Sequence, residues 1–583
     1  MASAQPSIHQ ILRETFGHPS FRPSQEAIIR SVLDNQDTLA LLPTGGGKSL
    51  CYQVPVLARD GIGLVISPLI ALMRDQVDAL RRKNITAFAI YSGMGRPEVI
   101  NVLRLAAASN CKFLYVSPER LETALFLEYL PALRVSLVAV DEAHCVSQWG
   151  YDFRPAYLRI AALREHLPDT PLLALTASAT PEVQEDICAK LSFRGRAVFR
   201  QSFARPNLSY RVLETSYKPD ALANLLGGTE GSALVYCSSR KRTGEVASRL
   251  NQQQIRAVAY HAGLGREQRH AAQQDWIQGR TRVIACTNAF GMGIDKPDVR
   301  TVIHMDPPDS LESYYQESGR AGRDGLPAQA IVLYSARDLT RLEELPSLRY
   351  PPLETIRTVY QAIANYLQLP SGAGEGQYYD FDLDDFTRRF ALNAYAVSYS
   401  LKTLEQEGWL SFQTQSYLPA SAGFTAGRRQ LEDWEKSNPA LQPLIHALLR
   451  RYPGIFDFPV PISESNLARQ LRLPPEQVAG QLATLQRYGL LTYRSRKEGP
   501  QLLLLRNRIP VSELRLDEAA YRQRQERFRQ RLRHLMDYLA DRKTCRSRLI
   551  TAYFGEPDQP DCGHCDTCRN RPASTASQPR PTC

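Results

Sequence analysis

The chain has 583 residues, of which 43% are hydrophobic, with a formal net charge of +11 and a sequence pI near 9.1. Such a length predicts about three to five domains at about 150 residues each, and the basic balance points as readily to a polyanion such as nucleic acid as to an ordinary basic enzyme. No run of about 18 apolar residues is present to span a membrane. The opening MASAQPSIHQILRETF lacks the basic start and apolar centre of a secretion signal. The expectation is a cytoplasmic protein, nucleoid-associated if bacterial, without a membrane partner.

From about residue 37 to 200 short apolar runs alternate with helical patterns. TLALLP, GLVISP, AFAIYSG, KFLYVSP, SLVAVDE and LLALTAS read as buried parallel strands. The rhythm returns in ALVYCSS, RAVAYHAG, RVIACTNAF, TVIHMD and AIVLYS. Two consecutive α/β lobes are expected, joined near Phe203 to Leu208, with ligands at the carboxyl ends of their strands. After Ser335 the alternation stops. A helix at 356–367, a short one at 383–390 and a longer one ending LEQEGWLSF suggest a first winged-helix-like unit. LIHALLRRY, ESNLARQL and EQVAGQLATLQRYGLLTY, followed by a hairpin-like YRSRKEGPQLLLLR, suggest a second. An Arg-rich helix follows at 518–538. The expected partition is 1–204 and 205–340 for the lobes, 341–425 and 426–510 for the winged units, 511–571 for a helical cysteine-bearing module, and 572–583 for a disordered tail.

The chemistry concentrates at strand ends. TLALLP runs into TGGGKS and then an apolar helix start, the setting a phosphate loop needs. Thr44, Gly45, Gly46 and Gly47 would let backbone N–H groups face phosphates, Lys48 would reach the β- and γ-phosphates, and Ser49 would bind magnesium at a helix N-terminus. The strict motif wants Gly six residues before the lysine, where this chain has Leu42. DEAH follows the apolar strand LVAV. Asp141 would hold the magnesium, Glu142 would polarise the attacking water, and His144 would touch the other lobe and report the nucleotide state. In QESGRAGRDG, Arg320 and Arg323 lie three residues apart on one helix face and can reach a phosphate on the neighbouring lobe.

Six of the eleven cysteines are scattered singly from Cys51 to Cys286 and read as buried, reduced thiols. Four more, in KTCRSRLITAYFGEPDQPDCGHCDTC, give two overlapping Cys-x-x-Cys steps and one distant thiolate. Cys545, Cys562, Cys565 and Cys568 are the expected ligands of a closed, structural zinc site, with His564 a spare candidate.

FRPSQEAII, LPTGGGKSLCYQVP, SPLIALMRDQ, YVSPERL, DEAHCVSQWGYDFRPAY, LTASAT, YHAGL, FGMGIDKPDVR and YYQESGRAGRDG together resemble the motifs of superfamily-two helicases in their RecQ form, in order over residues 8–340. The resemblance implies an ATP- and magnesium-dependent DNA helicase moving 3′ to 5′ on single-stranded and forked DNA, acting in recombination, repair or replication. It implies that Gln25 reads the adenine and Arg22 packs on the base, and that Thr176 to Thr180 link hydrolysis to lobe movement. It also implies that Trp149, Phe153 and Arg154 sense single-stranded DNA, by aromatic stacking worth about 1–3 kcal/mol per base. Arg74, Ser117, Arg120, Ser239, Arg240, His261 and Thr287 fall where the DNA backbone would lie. The chain departs from the pattern at Tyr151, where the family usually has His, and in TASAT for the commoner TATAT. The family's zinc module usually follows the core directly; here it is displaced to the C-terminus behind the winged helices, and the HRDC domain is not evident. The segment from Pro475 to Tyr488 is the candidate recognition helix. The hairpin at Arg494, Arg496 and Lys497 either contacts phosphates or acts as a wedge. The arginines 522, 524, 527, 529, 531 and 533 either line the DNA path or form a solvated face against the zinc module. Rival readings are an RNA helicase, a DNA translocase that does not unwind, and a winged-helix binding protein built on an inactive core.

Overall fold

The computed structural model describes residues 7–571, apart from 44, 92–93, 95, 148–149, 151–152, 289, 291–295, 419, 457–458 and 496. Among the described residues no helix is long and apolar enough to cross a membrane. The chain divides into two compact units. The first joins the residues before about 92, residues 100–347 and the chain from 517 onward; the second is built on residues 348–516.

The first unit holds two parallel sheets. Lobe 1 contains β1 (Thr38–Leu41), β2 (Ile62–Ile66), β3 (Ala87–Ile90), β4 (Phe113–Val116), β5 (Val135–Val140), β6 (Leu172–Thr176) and β7 (Ala197–Arg200), in the order β3-β4-β2-β5-β6-β1-β7. Lobe 2 contains β8 (Leu208–Glu214), β9 (Ser232–Tyr236), β10 (Ala257–Tyr260), β11 (Val283–Cys286), β12 (Val299–His304) and β13 (Ala328–Tyr334), in the order β10-β11-β9-β12-β13-β8. The inner strands β1, β2, β4, β9 and β11 are buried along their whole length, as sheets covered on both faces require. The expected strands are all present. Two more, β7 and β8, lie at sheet edges beside β1 and β13.

The chain leaves this unit near the end of the helix Ala336–Arg349 and re-enters it at Asp517, which caps the helix Glu518–Ala540 by accepting the Ala520 amide at 2.9 Å. The cysteine module therefore belongs in space to the two-lobed core, although about 170 residues separate them in sequence. It docks on lobe 2: Tyr538 packs against Tyr314 with centroids 5.4 Å apart, Asp566 accepts the Val212 amide of edge strand β8 at 2.9 Å, and the Ser209 hydroxyl donates to the His564 carbonyl at 2.7 Å. Asp566 thereby occupies an open sheet edge, a position that otherwise invites unwanted pairing. On the Arg-rich helix, Arg524 is buried and Arg522, Arg529 and Arg533 are exposed, so the helix combines a packed face and a solvated one.

The second unit consists of one winged helix nested inside another. Helices Leu353–Tyr366, Leu383–Arg389 and Ala394–Gln406 pack with a sheet of β14 (Tyr378–Asp380), β15 (Leu410–Leu418) and β19 (Lys497–Leu504), in the order β14-β19-β15. Between β15 and β19 lie β16 (Ser421–Phe424), β17 (Val460–Pro461) and β18 (Leu491–Arg494) with helices Arg428–Ser437, Gln442–Arg451, Glu464–Leu471 and Pro475–Arg487, all on a separate core that includes Leu444, Ile445, Leu467, Val478, Leu482 and Leu485. The expected hairpin at 493–506 is corrected by this pairing. β18 pairs with β16 and β19 with β15, so the two strands belong to different sheets. The expected boundary at 425/426 likewise divides both sheets, because β16 pairs with β18 in the inner fold and β19 pairs with β15 in the outer one. Arg496 lies outside the described residues.

Leu418 and Lys497 are directly paired across the ribbon that carries the inner domain. Replacing residues 419–496 by Asn-Gly would close this pair with a two-residue turn, which favours a hairpin. The shortened chain is expected to fold, with its thermal midpoint by circular dichroism within about 4 °C of the parent, on the order of 1 kcal/mol. Loss of the cooperative transition would contradict the nested arrangement.

Candidate nucleotide and nucleic-acid site

The phosphate-loop sequence leaves β1 and enters the helix Leu50–Leu57. Thr44 lies outside the described residues. Arg22 donates from Nη1 to the Gly45 carbonyl. Gln25, 1% exposed, donates from Nε2 to the carbonyls of Gly46 and Gly47 at 3.2 and 3.1 Å and accepts the Arg22 amide at 2.9 Å. The two residues expected at the base thus also brace the loop. Gly47 has φ +77°, and a Cβ there would sit 2.4 Å from Gln25 Nε2, so only glycine fits. An open groove of about 610 Å³ lies beside them, lined by Phe21, Arg22, Ser24 and Ala27.

DEAH begins at the carboxyl end of β5. Asp141 donates its amide to the Ile66 carbonyl at the end of β2, and its own carbonyl accepts the Tyr157 hydroxyl at 3.1 Å. Glu142 turns the chain with φ 48°, ψ 48°. This directs its carboxylate to Lys48 Nζ at 3.6 Å and to His144 Nδ1 at 3.3 Å. The two adjacent carboxyls titrate in opposite directions. Burial and then the charge of Glu142 push Asp141 above the ordinary carboxylate range, with Lys48 opposing. Burial also raises Glu142, but the positive charges of Lys48, His144 and Arg320 outweigh it and hold this carboxyl below its usual value. A carboxyl raised chiefly by burial, with a like charge beside it at a strand end, is one that a divalent cation relieves, so Asp141 fits a magnesium ligand.

Lobe 2 completes the site. Arg320 is 6% exposed, and its Nε and Nη1 have no partner within the protein. Buried guanidinium donors beside Glu142 fit a polyanionic ligand such as a triphosphate. Arg323 lies over the loop: a Cβ on Gly45 would meet its Cγ at 3.1 Å. The two lobes are also connected by hydrogen bonds. Buried His144 meets Thr176 Oγ1 at 3.0 Å, Thr176 Oγ1 accepts the Ser178 amide at 3.3 Å, and Ser178 Oγ accepts Gln316 Nε2 at 3.3 Å. The link expected of His144 runs here by way of Thr176 and Ser178. Gln316 is a contact that its place in the motif did not by itself single out.

The described residues among those expected to face DNA fall into two groups, one per lobe, beyond the carboxyl ends of parallel strands. On lobe 1, Arg74 lies over the Tyr91 ring at 4.7 Å and donates from Nε to its hydroxyl at 3.1 Å, while Arg120 Nε donates to the Tyr91 carbonyl at 3.2 Å. Tyr91 escaped the sequence reading, although its place just after β3 was the available signal. Arg154 Nη1 donates to the Pro68 carbonyl at 3.3 Å, and Phe153 is half-buried. Trp149 and Tyr151 lie outside the described residues. On lobe 2, a Cβ at Gly263 would meet His261 Nδ1 and Arg240 Nη1 at 3.1 and 3.2 Å, and Thr287 follows β11, donating its amide to the Tyr260 carbonyl at 3.3 Å. The lobe 1 group offers charge and aromatic area, and the lobe 2 group a guanidinium and an imidazole, which suits a phosphate backbone with bases stacked on the lobe 1 side.

The ligand atoms of Cys545, Cys562, Cys565 and Cys568 all lie within 4.8 Å of one another, the only such group of potential metal ligands among the described residues. The Sγ atoms of Cys545 and Cys565 are 3.9 Å apart, close to the spacing of about 3.8 Å that four thiolates at 2.3 Å from zinc require. The four thiols fit a closed zinc site, and His564 is not among them.

Four family profiles match the chain: DEAD/DEAH box helicase over 22–187, helicase conserved C-terminal domain over 217–325, RecQ helicase winged-helix domain, Bacteroidota, over 422–495, and RecQ zinc-binding over 506–569. The winged-helix match falls on the inner of the two nested folds. The ATP-dependent DNA helicase RecQ of Haemophilus influenzae is 43% identical over 343 residues, which is 58% of this chain and 55% of that protein. The probable ATP-dependent DNA helicase RecS of Bacillus subtilis is 42% identical over 361 residues, 61% of this chain and 72% of that protein. The match thus spans about half the length of the RecQ protein and most of RecS. The crystal structure of the DUF1998 helicase MrfA bound to DNA and AMPPNP shares the fold, with a TM-score of 0.50, 17% identity, and coverage of 59% of this chain and 53% of that one. With its two lobes, its interlobe arginines and its four-cysteine module, the chain belongs to the RecQ family of superfamily-two helicases.

Proposed function

We propose that this chain is an ATP-dependent DNA helicase that moves 3′ to 5′ along single-stranded DNA and unwinds forked duplexes in recombination, repair and replication, in the cytoplasm or on a bacterial nucleoid. The observation that carries the reading is the split nucleotide site: Lys48, Asp141 and Glu142 on lobe 1 face Arg320 and Arg323 on lobe 2. A ligand with phosphates between them favours the closed pair of lobes, and its hydrolysis removes that preference. Because each lobe carries its own DNA-facing group, opening and closing changes the distance between two grips on one strand.

Within the site, Gly45 to Ser49 cradle the phosphates, Lys48 and the two arginines neutralise charge, and Glu142 accepts a proton from the attacking water. Magnesium, held by Asp141 and Ser49, would add charge stabilisation at the phosphates. Arg22 and Gln25 tie base recognition to loop position. The zinc site stiffens the module that lines lobe 2. The domain limits in this reading are 1–204, whose residues after β7 (201–204) begin the interlobe linker, 205–340, an outer winged fold interrupted by an inner one, and a zinc module at 511–571. The nested arrangement supports the inner domain, rather than a free hairpin, as the element carried at the end of the β15–β19 ribbon. Strand separation on partial duplexes with a 3′ or a 5′ single-stranded tail tests the proposal.

A further inference from the structure

The helix Arg546–Tyr553 ends in the turn Tyr553-Phe554-Gly555-Glu556, which touches the linker between the lobes and both lobes themselves. Phe554, 2% exposed, stacks on Phe203 of the linker with centroids 4.5 Å apart and planes at 10°. Tyr315 of lobe 2 packs on both rings, and its hydroxyl donates to the Phe203 carbonyl at 3.2 Å. Glu556 accepts the Ser202 hydroxyl at 2.7 Å and the Phe203 amide at 3.3 Å. Tyr553 donates its hydroxyl to Glu312 of lobe 2 at 2.8 Å.

Toward lobe 1 the contact is of a different kind. Gly555 has φ +91°, and a Cβ on it would sit 2.8 Å from Pro181 Cγ. Backbone and ring touch there, and a surface of that kind lets one body slide on the other. Pro181 directly follows Thr180, in the segment whose Ser178 is bonded to Gln316. An adjoining cavity of about 650 Å³, lined by Pro181, Glu182, Glu312, His534 and Tyr553, leaves room for that segment to move.

We infer that the Tyr553–Glu556 turn is the pivot of the interlobe hinge: it fixes linker residues 202–203 to lobe 2 by stacking and carboxylate hydrogen bonds, and it gives lobe 1 a smooth bearing at Pro181. Directional bonds on one side and a bare steric contact on the other define an axis. Phe554, Gly555 and Glu556 are positioning residues, since none reaches the nucleotide site. The inference rests on the proposed nucleotide-driven closure and assigns its mechanical support.

The test uses the full chain carrying one fluorophore on each lobe, with Glu556→Ala and Phe554→Leu as variants and Glu556→Gln as the conservative control. A non-hydrolysable ATP analogue reads closure, and hydrolysis is followed with and without single-stranded DNA. The expected result is loss of the analogue-driven change in energy transfer and about a tenfold fall in DNA-stimulated turnover. Unstimulated turnover, KM for ATP and zinc content should stay within twofold, and Glu556→Gln should recover part of the closure. Wild-type closure in both variants, or stimulated and unstimulated rates falling in equal proportion, would overturn the pivot. A parent protein that closes on the analogue without DNA-stimulated turnover would instead contradict the helicase reading and leave closure to judge the pivot. A parent that does not close would overturn the pivot itself.

Discussion

Lys48→Ala is expected to reduce ATP turnover by at least about 10²–10³-fold, the cost typical of losing one preorganised charge or donor at a reacting oxygen. The effect should fall on turnover because Lys48 has two duties. In the proposed mechanism it faces the phosphates, and at 3.6 Å it is also the main counter-charge to Glu142, a carboxylate that is 7% exposed. Removing it leaves Glu142 with His144 and Arg320 alone, in a place where an uncompensated buried charge is expensive. A purified, folded Lys48→Ala protein that still turns over ATP at the parent rate would show that the site is wrongly assigned.

Cys565→Ser is expected to release the zinc and unfold the C-terminal module. Structural zinc supplies an apparent 10–16 kcal/mol or so to small folds of this kind, comparable to a whole domain's stability. The cysteines hold the loop that closes the module: Cys545 and Cys565 are buried, and that loop is tied to lobe 2 through Asp566 and the His564 carbonyl. Arg546 depends on the same loop. Fully buried, it donates to Asp566 Oδ1 at 2.9 Å, and loss of that partner strands its charge. The variant should bind less than about a tenth of the parent's zinc, and limited proteolysis should cut it between residues 541 and 571. Retention of one zinc per chain with unchanged protease resistance would contradict the four-cysteine assignment.

Much of the core was legible because a fully buried parallel strand announces itself as a short apolar run ending in a motif. β7 and β8 escaped for the opposite reason. As edge strands they bury one face or little at all: in β8 Leu208, Tyr210 and Val212 are buried while Ser209 and Arg211 are not. Period-2 patterning was the signal there. The accessory helices were visible from their spacing, and Glu464–Leu471 falls where the pattern placed it. Pairing was not visible. Strand propensity says which segments extend but not which partner each takes, so β18 and β19 read as a hairpin across Ser495 and Arg496. The unbroken leucines 502 to 505 carried a warning, because β19 is the central strand of its sheet, with β14 on one side and β15 on the other. The docking of the zinc module on lobe 2 was equally hidden, since contacts such as Phe203 with Phe554 join residues about 350 apart. At the candidate nucleotide site, residue types and order were readable, whereas the bracing of the loop by Gln25 exists only once lobe 1 is folded, and the approach of Arg323 to Gly45 only once the two lobes meet.

The most direct measurement is strand separation on two partial duplexes that differ only in whether the single-stranded tail is 3′ or 5′, with ATP and magnesium present or withheld. A helicase moving 3′ to 5′ is expected to unwind the 3′-tailed substrate alone, dependent on both ATP and magnesium. Hydrolysis stimulated by DNA without unwinding of either substrate, or unwinding confined to the 5′-tailed one, would contradict it.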